Sequence, residues 1–139
     1  MRLSTSTVIY FNRRDGSRIP LIDSIRRCGM LGYRVMDLDF CSGIRCDDYE
    51  LKQPDWEHWI EEVVRVADKY GVSFSQSHAP FYNVCDPYFA DKEYYDEMIR
   101  RSIIVSGLLG VKWVALINAA IEQSLQVGRY LLSLAKMPG

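Results

Sequence analysis

The sequence predicts an α/β fold of about four βα units with parallel strands, and three observations predict it. A glycine followed by a β-type run occurs three times, at Gly32, Gly71 and Gly110, with the same spacing of thirty-nine residues. Ahead of each glycine, apolar residues recur at i, i+3, i+4 and i+7, the spacing of an amphipathic helix. Strand and helix patterns then alternate along the chain, which implies parallel strands joined by right-handed crossovers.

Each element has a local reason. Leu3–Phe11 is rich in Ser, Thr, Val, Ile and Tyr and reads as a first strand. Leu21, Ile22, Ile25 and Cys28 form a helical stripe opened by Pro20 and closed by Gly32, a residue that takes the left-handed conformation past a helix end without a Cβ penalty. Gly32-Tyr33-Arg34-Val35-Met36-Asp37-Leu38-Asp39 gives the second strand. Trp56, Trp59, Ile60, Val63, Val64, Ala67 and Tyr70 share one face of a helix over Asp55–Tyr70, with Glu57, Glu61, Glu62, Arg65 and Asp68 opposite. Gly71 through His78 is the third strand, and Tyr95, Met98, Ile99, Ser102, Ile103 and Ser106 mark the helix that stops at Gly110. Gly110 through Ile117 is the fourth strand, and Ile121, Leu125, Leu131, Leu132 and Ala135 suggest a fourth helix ending near Lys136. These apolar stripes are core rather than cofactor-binding surfaces.

Two parallel architectures suit this order, an open doubly wound sheet and a (β/α)8 barrel. The first would show a Gly-rich turn after strand one, and the chain reads Asn12-Arg13-Arg14-Asp15-Gly16-Ser17 instead. The barrel is favoured, although a full one takes roughly 250 residues against 139 here. The expected fold is therefore a partial (β/α)8 TIM barrel.

Composition narrows the function classes. With 48% hydrophobic and 25% charged residues the chain is an ordinary soluble globular domain or part of one. Seventeen basic against eighteen acidic residues leave a net charge of -1, without the footprint of a nucleic-acid binder. The charge is uneven along the chain: residues 46–98 carry thirteen acidic and four basic groups, a pattern read as solvated helix faces. The polar start Met1-Arg2-Leu3-Ser4-Thr5-Ser6-Thr7 is no signal peptide, and no apolar run could span a bilayer. Four cysteines without a Cys-x-x-Cys pair look like reduced thiols, which points to the cytoplasm.

In parallel α/β folds the chemistry sits at the C-terminal ends of the strands. Seven residues past the repeat glycines stand Asp39, His78 and Ile117, equivalent positions expected side by side on one face. His78 ends its strand and precedes Ala79-Pro80-Phe81-Tyr82-Asn83, an aromatic loop suited to covering a small polar ligand. Asp37 and Asp39 share a face by the period of two, so either could be the inward acid; Asp39 is preferred, with loop capping as its alternative role. His58, between Glu57 and Trp59, reads as a surface histidine. Arg13-Arg14 could meet a substrate phosphate from the same end, an exposed loop pair being the plainer reading. Cys41, Cys46, His78 and Cys85 also fall in loops at that end, but their spacing matches no zinc ribbon or finger.

Ser75-Gln76-Ser77-His78-Ala79-Pro80-Phe81, preceded by Ala67-Asp68-Lys69-Tyr70-Gly71-Val72 and followed by Leu108-Leu109-Gly110-Val111-Lys112-Trp113-Val114, resembles the xylose isomerase-like TIM-barrel superfamily of sugar phosphate isomerases and epimerases. Gly32 through Asp39 resembles the second-strand segment that commonly delivers an acid to the site in this family. The resemblance implies that residues 1–139 are the N-terminal half of such a barrel. It implies metal-dependent proton or hydride transfer between neighbouring sugar carbons, with His78 and Asp39 as substrate-binding residues and Phe11 a pocket wall. It implies a divalent metal, Mn²⁺ or Mg²⁺, held in the family by residues of strands five to eight. Those ligands are absent from this chain, as is a nameable catalytic base, so the isolated chain is expected to be inactive. The fourth-strand exit Leu116-Ile117-Asn118-Ala119-Ala120 also lacks the His-Pro-Gly-type segment common in the family.

The expected partner is a small sugar or sugar phosphate, without nucleic acid or membrane, together with a missing C-terminal half or a second copy. A non-catalytic half-barrel that self-associates through its open sheet edges is the alternative. Endonuclease IV-type DNA repair, which shares the superfamily barrel, is disfavoured by two histidines and no net positive charge.

Overall fold

A computed structural model of the chain describes residues 4–10, 13–15, 17–83 and 86–116. Four strands, β1 (Ser4–Ser6), β2 (Val35–Asp39), β3 (Ser73–His78) and β4 (Val114–Ala115), form one sheet in the order β1-β2-β3-β4. Every neighbouring pair is parallel. Three helices, α1 (Leu21–Met30), α2 (Trp56–Tyr70) and α3 (Lys92–Leu108), make the crossovers. The expected fourth helix lies outside the described residues, as do Ile117, Phe11 and Cys85.

The repeat glycines end the three helices in one and the same way. Gly32, Gly71 and Gly110 have φ of 91°, 63° and 72°, the left-handed region. In each case the glycine N–H donates to the carbonyl three residues back, and the following N–H to the carbonyl five residues back. The pairs are Gly32–Gly29 and Tyr33–Cys28, Gly71–Asp68 and Val72–Ala67, Gly110–Gly107 and Val111–Ser106, all at 2.9–3.1 Å. These are three Schellman closures, which satisfy the last carbonyls and turn the chain into the next strand.

Packing against the helices is apolar. Met36, Leu38 and Phe40 alternate on the buried face of β2 and meet Ile25, Trp59, Ile60 and Val63 in the main core. Gly29 lets α1 and α2 approach closely: a Cβ there would stand 2.6 Å from Tyr70 Cβ. The α3 stripe carries a polar seam as well. Ser77 Oγ and Ser106 Oγ lie 2.7 Å apart in the core, and Ser106 and Ser102 donate back to Ser102 O and Ile99 O.

Three details differ from the sequence expectation. β1 is shorter than Leu3–Phe11: the chain leaves the sheet at Thr7 in a 3-10 turn over Thr7–Tyr10, and the Thr7 hydroxyl accepts the Asp39 N–H at 2.9 Å. β3 contains a bulge. Met36 faces Phe74, but Asp37 faces Gln76, so Ser75 is an extra residue. The bulge allows both Phe74 and Ser77, three apart, to be buried against the helices, and puts Gln76 and His78 on the face of Asp37 and Asp39. Finally, Asp39 pairs with His78 as expected, but His78 pairs with Ala115, not with Ile117. A two-residue stagger of this kind keeps the same face while shifting strands along one another, as closure into a tilted barrel requires.

Candidate functional site

The candidate site forms where β2 and β3 end side by side. His78 Nε2 lies 3.1 Å from Asp37 Oδ2, with both side chains partly exposed, and Gln76 Nε2 is 3.4 Å from both atoms. A carboxylate only accepts, so the hydrogen on the short contact belongs to His78 Nε2. Gln76 then donates to Asp37 rather than to the ring. In the neutral imidazole this leaves Nδ1 as an acceptor. Asp37 Oδ1 is buried and makes no hydrogen bond among the described residues. The pair therefore offers an imidazole nitrogen and a carboxylate oxygen with capacity for further hydrogen bonds.

Of the two acids on this face, Asp37 is the one that touches His78. Asp39 accepts the Cys41 N–H on Oδ1 at 3.0 Å, and its own N–H donates to Thr7. Its carboxylate caps the loop after β2 and its backbone holds the end of β1. Sequence reasoning placed both acids on this face and preferred Asp39; in the structure the Asp39 carboxylate turns to the Cys41 N–H and Asp37 meets His78. Gln76 was missed, although period two sets it with His78 and was the available signal.

Cys41 clips the two loops together. Its thiol donates to Ala79 O at 3.0 Å. Burial, then the Asp39 carboxylate, push the thiol pKa up to about 12, so it stays protonated. The aromatic loop divides its side chains: Phe81 is half exposed, whereas Tyr82 is buried, stacked on Phe89 at 4.7 Å and edge-on to Tyr95. The Tyr82 hydroxyl donates to Asp96, which Lys92 also contacts at 2.6 Å. Arg13 and Arg14 are exposed, and His58 is an exposed residue paired with Glu61 at 3.4 Å.

The residues do not make a metal centre. A hard divalent cation takes about six or more oxygen-rich ligands in defined geometry. Asp37 and His78 engage each other, Asp39 caps its loop, and Cys41 is a protonated donor. Among the described residues no three His, Cys, Asp or Glu side chains converge on a cation position. Likewise, among the described residues no helix is long and apolar enough to cross a membrane.

No protein-family model and no curated protein matches the sequence. Solved structures are similar in fold. A xylose isomerase-like TIM barrel protein from Mycobacterium smegmatis, in complex with magnesium, matches 91% of this chain at 18% identity and a TM-score of 0.53. A sugar phosphate isomerase/epimerase from Parabacteroides distasonis matches 94% at 13% identity and a TM-score of 0.46. The chain spans 42% and 47% of the length of these two proteins, less than half of each. With four parallel strands in sequential order and helical crossovers, the chain has the fold of a partial TIM barrel.

Proposed function

We propose that this chain is the N-terminal half of a sugar or sugar-phosphate isomerase/epimerase barrel, with the Asp37–His78 pair as its contribution to the substrate site. The observation that carries the proposal is this pair, at 3.1 Å, on the strand ends where parallel α/β folds do their chemistry. The Asp37 carboxylate accepts a sugar hydroxyl and His78 Nδ1 accepts a second. Asp39 stands two residues further along β2, at its end. The reaction class is transfer of a proton or hydride between adjacent carbons. A base near the operating pH and stabilisation of the developing oxyanion are both needed for the proton route, and these come from residues beyond this chain. So do the ligands of a divalent metal, Mn²⁺ or Mg²⁺. The isolated chain binds sugar weakly and does not turn it over, and its setting is the cytoplasm.

The test is titration of the ¹⁵N-labelled chain with a panel of sugars and sugar phosphates. Shifts confined to Asp37, Gln76, His78 and the 79–83 loop, abolished in His78→Ala with the remaining spectrum intact, are expected. A panel that moves none of these signals refutes the reading.

A second reading, a self-associating half-barrel, is favoured by the sheet itself. Among the described residues β1 and β4 are each paired on one side only, and an unpaired edge is a template for another chain. Light scattering distinguishes the two: a concentration-independent monomer removes the second reading.

A further inference from the structure

Two residues that line one small cavity each carry a buried polar atom, and the two atoms have opposite hydrogen-bonding character. Arg18 Nε and Asp39 Oδ2 are both shut off from solvent and make no hydrogen bond among the described residues. Both residues line a cavity of about 20 Å³, together with Thr7, Ser24 and Tyr49. The rest of each side chain is already engaged. Arg18 donates from Nη1 to Glu50 and from Nη2 to Asp48 O, each at 2.8 Å, so its charge is matched while its buried Nε–H makes no hydrogen bond among the described residues. Asp39 Oδ1 accepts Cys41 N–H, so Oδ2 is what remains.

We propose that this cavity is a binding site for one water molecule, which accepts the Arg18 Nε–H and donates to Asp39 Oδ2. Size and chemistry select that ligand. A single water needs roughly 10–15 Å³ of such space and two to four polar partners, whereas a sugar or phosphate is far larger. A metal ion would face the Arg18 guanidinium and an anion the Asp39 carboxylate. Only a neutral group that is both donor and acceptor suits both walls. The bound water links Arg18, ahead of α1, to the end of β2, in a cavity that the turn after β1, the start of α1 and Tyr49 also line. Arg18 thereby becomes a positioning residue for Asp39, acting through the water rather than by contact. This inference does not depend on the sugar reading.

The experiment is water-selective cross-relaxation on the full ¹⁵N-labelled chain, read at the Arg18 Nε–H. A cross-peak to water with opposite signs in the laboratory and rotating frames is expected, because the water stays bound longer than the protein takes to tumble. Absence of the cross-peak, or a through-bond coupling from Arg18 Nε directly to the Asp39 carboxylate, overturns the proposal. Asp39→Leu fills the cavity and removes the acceptor, so the cross-peak should be lost; its persistence overturns the proposal as well. Should that variant not fold, a high-resolution crystal structure of the unaltered chain decides. Density within hydrogen-bond reach of both atoms supports the site, and none there refutes it.

Discussion

Asp37 and His78 are forty-one residues apart in sequence and meet at 3.1 Å across two adjacent parallel strands. The carboxylate cannot donate, so it selects the ring tautomer with hydrogen on Nε2. Long-range ¹H–¹⁵N spectra of the neutral ring should show that tautomer dominating. In Asp37→Leu the preference should disappear, with both tautomers populated. A ring already protonated mainly at Nδ1 in the unaltered chain contradicts the assignment.

Gly29→Ala should destabilise the chain. The added methyl would stand 2.6 Å from Tyr70 Cβ, a backbone-proximal atom with little room to give. Overpacking of this kind costs about 1–3 kcal/mol. Urea unfolding should show a lower midpoint at unchanged slope, and an unchanged midpoint would mean that α1 and α2 can separate freely.

The serine seam between β3 and α3 should behave as a coupled unit. Ser77 is completely buried, and its hydroxyl has Ser106 within 2.7 Å. Ser106→Ala leaves a buried hydroxyl without this partner, which costs about 1–3 kcal/mol. The double variant Ser77→Ala/Ser106→Ala should lose less than the sum of the two single ones, because residues in one network are not additive. Strict additivity would place the two hydroxyls in separate environments.

Acid should weaken α3 through Glu97. Hydrogen bonds from Arg100, then Arg101, hold its carboxyl down from 4.5 to about 2. A group with a depressed folded pKa contributes fully above its unfolded value, and that contribution is lost as pH falls from about 4.5 through about 2. The side chain is 37% exposed, so solvent screening limits the effect to at most about 1 kcal/mol. Glu97→Gln should flatten the stability profile over that window and lower it by a constant amount at higher pH. An undiminished slope in the variant would assign the acid sensitivity to other carboxylates.

Thiol chemistry should sort the cysteines. Cys41 has its pKa raised to about 12, and burial also raises that of Cys28. Since the thiolate is the nucleophile, iodoacetamide at pH 8 should leave both unmodified in the folded chain and label them after denaturation. Rapid labelling of Cys41 in the folded state would contradict its role as a donor to Ala79 O.

The fold was legible because its signals are local and repeated. Gly32, Gly71 and Gly110 mark backbone positions that favour glycine, and the stripe from Trp56 to Tyr70 announces one buried helix face. That His78, Asp37 and Asp39 share one face at the strand ends was legible too. Which acid meets His78 was not, because Asp39, the register partner of His78, turns its carboxylate to the Cys41 N–H, a contact within a loop that a period-two pattern does not show. The pairing of His78 with Ala115 was hidden similarly, since stagger between strands is set by the sheet as a whole. The roles of Cys41 and Thr7 rest on contacts between loops distant in sequence.

The bulge at Ser75 has a consequence for how this chain tolerates change. β3 enters the sheet in antiphase with β2, two residues after its glycine where β2 pairs three residues after its own, and leaves it in phase. Ser75 is thus a phase shifter. Pairing Ser75 regularly with Asp37 instead would shift everything beyond it by one residue, sending His78 toward the helices and Ser77 toward the open face. One serine thus lets Phe74 and Ser77 share the buried face of a single strand while Gln76 and His78 share the face of Asp37 and Asp39.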